Sequence, residues 1–163
     1  MKKSETLIME RNELNTRYTQ MCETAYKTNT VEAVRQELNQ MHRDIQRLDD
    51  EIRREQNREI EVGDGVTVRF YTDAHAGTVI RKTKTMLIIQ QDKATLDPSF
   101  TPEFDVGGFA AHCSNNNEQK YNYERDPEGT IYKARWSEKD GCYKYDGCCR
   151  ISRGRHEFYD YNF

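Results

Sequence analysis

At 163 residues, with 35% hydrophobic and 33% charged side chains, the chain has room for one small-cored domain and an extension. A formal net charge of −3 argues against a general binder of duplex DNA or RNA, whose affinity comes mostly from neutralising phosphates with an excess of cations. No stretch approaches the ~18 apolar residues that a membrane-spanning helix needs. Met1-Lys2-Lys3 leads into polar sequence rather than an apolar signal segment, so a cytoplasmic protein is expected.

The first predicted element is a helix over residues 5–26. Leu7, Leu14, Tyr18, Met21 and Ala25 lie along one stripe, and Ser4 is placed as its N-cap. Lys27-Thr28-Asn29-Thr30 interrupts it, and Asn29 followed three residues later by Glu32 has the form of a capping box opening a second helix over residues 31–56. That helix carries Val31, Val34, Leu38, Met41, Ile45, Leu48 and Ile52 at alternating spacings of three and four, the a/d pattern of a coiled coil over three heptads. A seam this narrow is buried only against a partner helix. The two helices suit an antiparallel hairpin or pairing with another subunit. The C-terminal heptads of the second seam outrun the first helix, which favours pairing between chains. Residues 1–60 are therefore expected to form an oligomerisation region, giving a homodimer or a higher homo-oligomer such as a hexamer.

The character changes near Val62. Fifteen of the 17 aromatic residues lie beyond it, so the packed core belongs there. Val66, Val68 and Phe70 alternate with polar neighbours as in a half-buried strand, and residues 73–77 read as a turn. Strands over residues 78–81 and 85–90 flank a hairpin at Lys82-Thr83-Lys84. An irregular stretch over residues 92–118 follows, too long for an ordinary connection and rich in Phe, which points to an ordered functional loop. Strands resume over 119–123 and 131–136, with hairpin turns at Asp140-Gly141 and Asp146-Gly147. The fold class is α+β: coiled-coil helices followed by a small, strongly bent antiparallel β-sheet or barrel over residues 62–163.

The chemistry-bearing residues do not spell an enzyme. No nucleophile elbow, zincin, P-loop or dinucleotide fingerprint occurs. His75 and His156 stand in expected loops with no carboxylate near them in sequence, and Asp49-Asp50-Glu51 reads as a solvated helix face. Cys22, Cys113, Cys142, Cys148 and Cys149 lack paired metal-ligand spacing, so reduced thiols are expected, with neither metal nor cofactor. The more suggestive set is aromatic, basic and amide. Gly107 and Gly108 precede Phe109, Ala110, Ala111 and His112, and glycines permit a close backbone approach. Asn115, Asn116 and Asn117 offer amides to base edges and ribose hydroxyls, and Arg69, Arg81 and Arg135 alternate out from strands. Together they suit a nucleobase stacked on Phe109 with phosphates on guanidinium groups. Taken singly, Phe109 is more simply a core anchor and each arginine a surface charge.

Gly63-Asp64-Gly65, the segment from Val106 to Asn116 and the terminal Tyr159-Asp160-Tyr161-Asn162-Phe163 resemble a family of small bacteriophage proteins, over roughly residues 62–163. The order of helices and β domain also resembles phage anti-Thoeris sponge proteins. Those bind a cyclic ADP-ribose isomer made by bacterial TIR-domain defence proteins, without cleaving it, in pockets shared between subunits; some relatives hold cyclic oligonucleotides. The resemblance implies an anti-defence protein of the host cytoplasm that sequesters a nucleotide immune signal. Phe109, Asn116 and Arg135 fit best as ligand-binding positions, with Arg81, Ala110, His112, Asn115 and Arg69 beside them. Two rivals are a protein-binding inhibitor or adaptor acting through the helices, and a single-strand nucleic-acid module stacking bases on a small barrel.

Overall fold

The computed structural model describes residues 2–105, 107 and 112–162 and divides into two compact units, residues 1–59 and 60–163. The first is a pair of helices, α1 Lys3–Lys27 and α2 Val31–Arg58. They run antiparallel along their whole length. Lys3 Nζ lies 2.9 Å from Glu55, the Ser4 hydroxyl donates to Glu59 at 2.6 Å, Arg11 sits 3.2 Å from Asp49, and the Tyr18 and His42 rings are 6.1 Å apart. The apolar seam is thus spent inside the chain: Met41, Leu48 and Ile52 are buried, Val34, Leu38 and Ile45 half-buried, and Val31 exposed.

This corrects the expectation that the second seam outruns the first helix. The first helix is long enough to reach the last turn of the second, because Ser4 lies inside α1 and not at its cap. Its hydroxyl serves the interhelical bond to Glu59, and Lys2 takes the N-cap. The Asn29 capping box is likewise absent: Thr30 is the N-cap of α2, and Asn29 adopts φ +55° to reverse the chain.

The second unit contains β1 Gly65–Arg69, β2 Ala74–Lys82 and β3 Met86–Gln91, then an insertion with β4 Lys93–Leu96, β5 Phe104–Asp105, β6 His112–Cys113, a 3-10 turn at Asn116–Glu118 and β7 Tyr121–Glu124. It closes with β8 Ile131–Ser137, β9 Cys142–Tyr145 and β10 Cys149–Arg153. Six strands form a closed antiparallel barrel in the order β1-β10-β9-β8-β3-β2. Closure removes sheet edges, so no barrel strand is left to pair with another chain. In the insertion β4 pairs with β7, and β5 with β6.

Period-two alternation sets the core. Val66 and Val68 of β1, Val79 of β2, Leu87 and Ile89 of β3, Ala134 of β8 and Ile151 of β10 are buried, with Ile60 from just before the barrel. Cross-strand partners share a face, and the register matches Val68 with Ile151, Val79 with Ile89 and Leu87 with Ala134. Rings finish the interior: Tyr132 and Tyr145 lie 5.1 Å apart edge to face, as do Trp136 and Tyr143 at 5.0 Å.

Residues 74–77, expected as a turn, are the first half of β2. Gly77 faces Val66 across the barrel wall, where a Cβ would come within 2.7 Å of Ile89 Cγ2 and 2.8 Å of the Gln90 carbonyl. Its small size marks a close packing position and not a chain reversal. The stretch over 92–118 is also more regular than expected, since it holds β4, β5, β6 and the 3-10 turn.

Two ties fasten the barrel to its insertion and its C-terminal tail. Asp92, just after β3, is buried and accepts bonds from the Thr78 hydroxyl at 2.8 Å and from Arg155 Nε at 2.6 Å. The tail then crosses β2, where Ala74 and Phe158 exchange backbone bonds of 3.0 and 2.9 Å.

Candidate functional site

The barrel's outer face follows from the same register. On β8 the inward residues are Tyr132 and Ala134, so Lys133 and Arg135 point outward and are exposed. Arg135 pairs with Met86 on one side and with Lys144 on the other. Lys144 pairs with Arg150 of β10, and Arg150 with Arg69 of β1. Arg81, beyond a β-bulge in β2, pairs with Ile88, which pairs in turn with Lys133. All three arginines singled out in the sequence therefore lie on the outer wall of the barrel, on strands spread around it.

Between β8 and β9 this surface sinks into a cleft of about 620 Å³. Lys133, Arg135 and Lys144 supply its cations, Asp140 and Asp146 its carboxylates, and Trp136 and Tyr145, half-buried with their rings packed on Tyr143 and Tyr132, border it. Asp140 lies 2.8 Å from Lys144 Nζ and 3.8 Å from an Arg150 nitrogen, and it accepts a 2.6 Å bond from the Ser137 hydroxyl. The Lys144 hydrogen bond and then that of Ser137 hold its carboxyl down at about 2, so it is an anion at any physiological pH. Arg135 and Lys133 have no ion-pair partner among the described residues. The cleft thus keeps an excess of one positive charge, with Lys133 and Arg135 left to meet a phosphate and the half-buried Trp136 and Tyr145 at its border for a flat ring.

The remaining candidates divide. Phe109 and Ala110 lie outside the described residues. Asn116 is buried, and its amide is occupied within the protein: Nδ2 donates to Asp160 at 2.9 Å, and Oδ1 accepts from Gln119 at 2.9 Å. Asn115 Oδ1 accepts from the Glu103 backbone at 2.9 Å, while its Nδ2 donates to the Thr101 carbonyl at 2.9 Å. Both amides fasten the insertion to itself and to the tail. His112 is exposed on β6 opposite Asp105. A second cavity of about 710 Å³ borders Asn115 and Asn117, but Glu103 and Glu118 line it against Lys120 alone, the wrong balance for a dianion.

Lys133, Lys144, Arg150, Trp136 and Tyr145 are site residues that the sequence does not single out. The alternation of Tyr132, Ala134 and Trp136 with Lys133 and Arg135 is legible there. The register that sets β9 and β10 beside β8 is not.

His75 Nδ1 lies 2.8 Å from Glu157, which also accepts the Ala76 backbone N–H at 2.7 Å. This hydrogen bond raises the imidazole above its ordinary pKa, against the opposing pull of burial. The carboxylate comes from 82 residues away, beyond any reading of local sequence. Among the described residues no hydroxyl or thiol is hydrogen-bonded to His75, so the pair is a tie between tail and β2. Burial pushes the Cys149 thiol up to about 11, which leaves it protonated and a poor nucleophile. No helix among the described residues is long and apolar enough to cross a membrane. Neither a family model, a curated protein nor a solved structure matches the chain.

Proposed function

We propose that the chain is a non-catalytic binding protein for a phosphorylated nucleotide-type small molecule, held in the β8–β9 cleft. The observation that carries this is Arg135 and Lys133, outward and without ion-pair partners among the described residues, beside Trp136 and Tyr145 in one concavity. Hydrogen bonds to charged groups contribute ~1.5–3 kcal/mol each, and a base stacked on an aromatic ~1–3 kcal/mol. Two such bonds and one stack total roughly 4–9 kcal/mol, and association costs of at least ~4 kcal/mol leave one cleft with submillimolar affinity at best.

The resemblance to phage sponges supplies the leading ligand, a cyclic ADP-ribose isomer, and the biological setting, sequestration of an immune signal in a host cell. A sponge needs tighter binding than one open cleft provides. Assembly with a second copy, through a surface other than the seam already spent between α1 and α2, is therefore part of the proposal. Equilibrium dialysis against the isomer, followed by mass spectrometry of the released ligand, tests it. Retention of chemically unchanged ligand is expected. Failure to retain it removes the reading, and recovery of a cleaved product would make the protein a hydrolase.

A further inference from the structure

Four cations stand side by side across the outer face of the barrel: Arg135 opposite Lys144, Lys144 opposite Arg150, and Arg150 opposite Arg69. Like charges directly opposed across strands destabilise a sheet, and a chain with 28 acidic residues had the means to interleave them. Among the described residues Asp140 is the one carboxylate paired within the row, to Lys144 and Arg150. Arg69 reaches the Ser152 hydroxyl, at 3.2 Å, and Arg135 pairs with no carboxylate among the described residues.

Neighbouring strands lie ~4.8 Å apart, so the row follows ~14 Å of backbone wall as it curves round half of the six-stranded barrel from β8 to β1. That exceeds what one phosphate or pyrophosphate needs. A strand curved round that wall would set one phosphate against each of the four cations. One end of the row opens into the cleft with its two rings, Trp136 and Tyr145.

We infer that the row is the backbone track of a single-stranded oligonucleotide, whose terminal base enters the β8–β9 cleft while its phosphates pass over Arg135, Lys144, Arg150 and Arg69. This rests on the cleft reading above and extends it from a compact nucleotide to a short strand. The row contacts phosphate through its cations alone, so DNA and RNA strands bind alike.

The test is fluorescence anisotropy on the full chain with labelled oligo-dT and oligo-U di-, tetra- and octanucleotides over a salt series. Affinity should rise at least tenfold from dinucleotide to tetranucleotide and then level off. With a 5′-phosphate on each oligonucleotide and the label at the 3′ end, the tetranucleotide carries four phosphates, and the slope of log K against log salt should be about −2.8 at ~0.7 per phosphate of a single strand. R69Q/R150Q should reduce that slope by about 1.4 and bring the tetranucleotide down to the dinucleotide's affinity. If loss of the Asp140 contact lowers the double variant's melting temperature, Arg69→Gln alone should still remove about 0.7 of the slope.

Affinity independent of length, with R69Q/R150Q silent while the cyclic ADP-ribose isomer still binds, overturns the strand and leaves the cleft reading intact. No binding of either ligand removes both. Inorganic polyphosphate binding as tightly as the tetranucleotide would overturn the base in the cleft, as would a clear preference between oligo-dT and oligo-U for the backbone-only track.

Discussion

Arg155→Met probes the tie that joins the barrel to its insertion and tail. The Asp92 carboxylate has a side chain only 1% exposed, and its charge is met by Arg155 Nε at 2.6 Å, by the Thr78 hydroxyl and, more distantly, by Arg125 at 3.8 Å. Arg155 also donates to Thr78 Oγ1 at 2.8 Å. Methionine keeps most of the apolar stem and deletes both donors. Removing one partner of a buried pair costs ~3–5 kcal/mol. Arg155 is itself 36% exposed and Arg125 remains within reach, which places the loss near the lower end, about 3 kcal/mol. At ~4–8 °C per kcal/mol for a domain near this size, the β unit should melt roughly 12–24 °C lower. The chain's single tryptophan, Trp136, lies on β8, so its fluorescence reports that unit free of the helices. Adding Asp92→Asn should recover part of the loss, since no buried charge is then stranded. A melting temperature within about 3 °C of the original would refute the reasoning, because it would mean the carboxylate needs no cation there.

Gly77→Ala should destabilise the β unit by about 1–3 kcal/mol, because the new methyl meets Ile89 and the Gln90 backbone inside the wall; denaturant titration measures it. Leu48→Ala, at a position 4% exposed, should cost the helical hairpin about 2–5 kcal/mol, read from loss of helical circular dichroism in urea, whether or not a second chain is present. His75 carries a raised pKa, so its stabilisation is full below the ordinary histidine value of ~6.5 and fades as pH rises through the folded value. The melting-temperature gap between the original chain and His75→Gln should accordingly widen from about pH 8.5 to about pH 5.5, and a gap constant with pH would contradict the His75–Glu157 assignment.

The strands whose side chains alternate cleanly are legible from sequence: β1, β3 and β8 fall within a residue or two of their expected positions. So are the α+β class and the boundary between helices and β unit, because the aromatics and glycines begin together. The failures have a common cause. Ser4, Asn29 and Gly77 each carry a strong local meaning as cap, cap and turn, and each is used by a distant partner, a chain reversal or a tight packing contact instead. Asn115 and Asn116 look like ligand amides in sequence, but their partners at 101, 103, 119 and 160 become visible only when the insertion is folded. The arginines of β1, β2 and β8 are recognisable singly. Their alignment with Lys144 and Arg150 is a property of register, which hydrophobic pattern fixes by face and not by neighbour.

The central claim is a phosphate-binding cleft walled by Lys133, Arg135 and Trp136. Calorimetric titration of the cyclic ADP-ribose isomer, with Trp136 fluorescence followed in parallel, addresses it most directly. Saturable heat with quenching is expected for the original chain, with at least a hundredfold loss in Lys133→Glu/Arg135→Glu at unchanged melting temperature. Equal binding by the charge-reversed protein would contradict it.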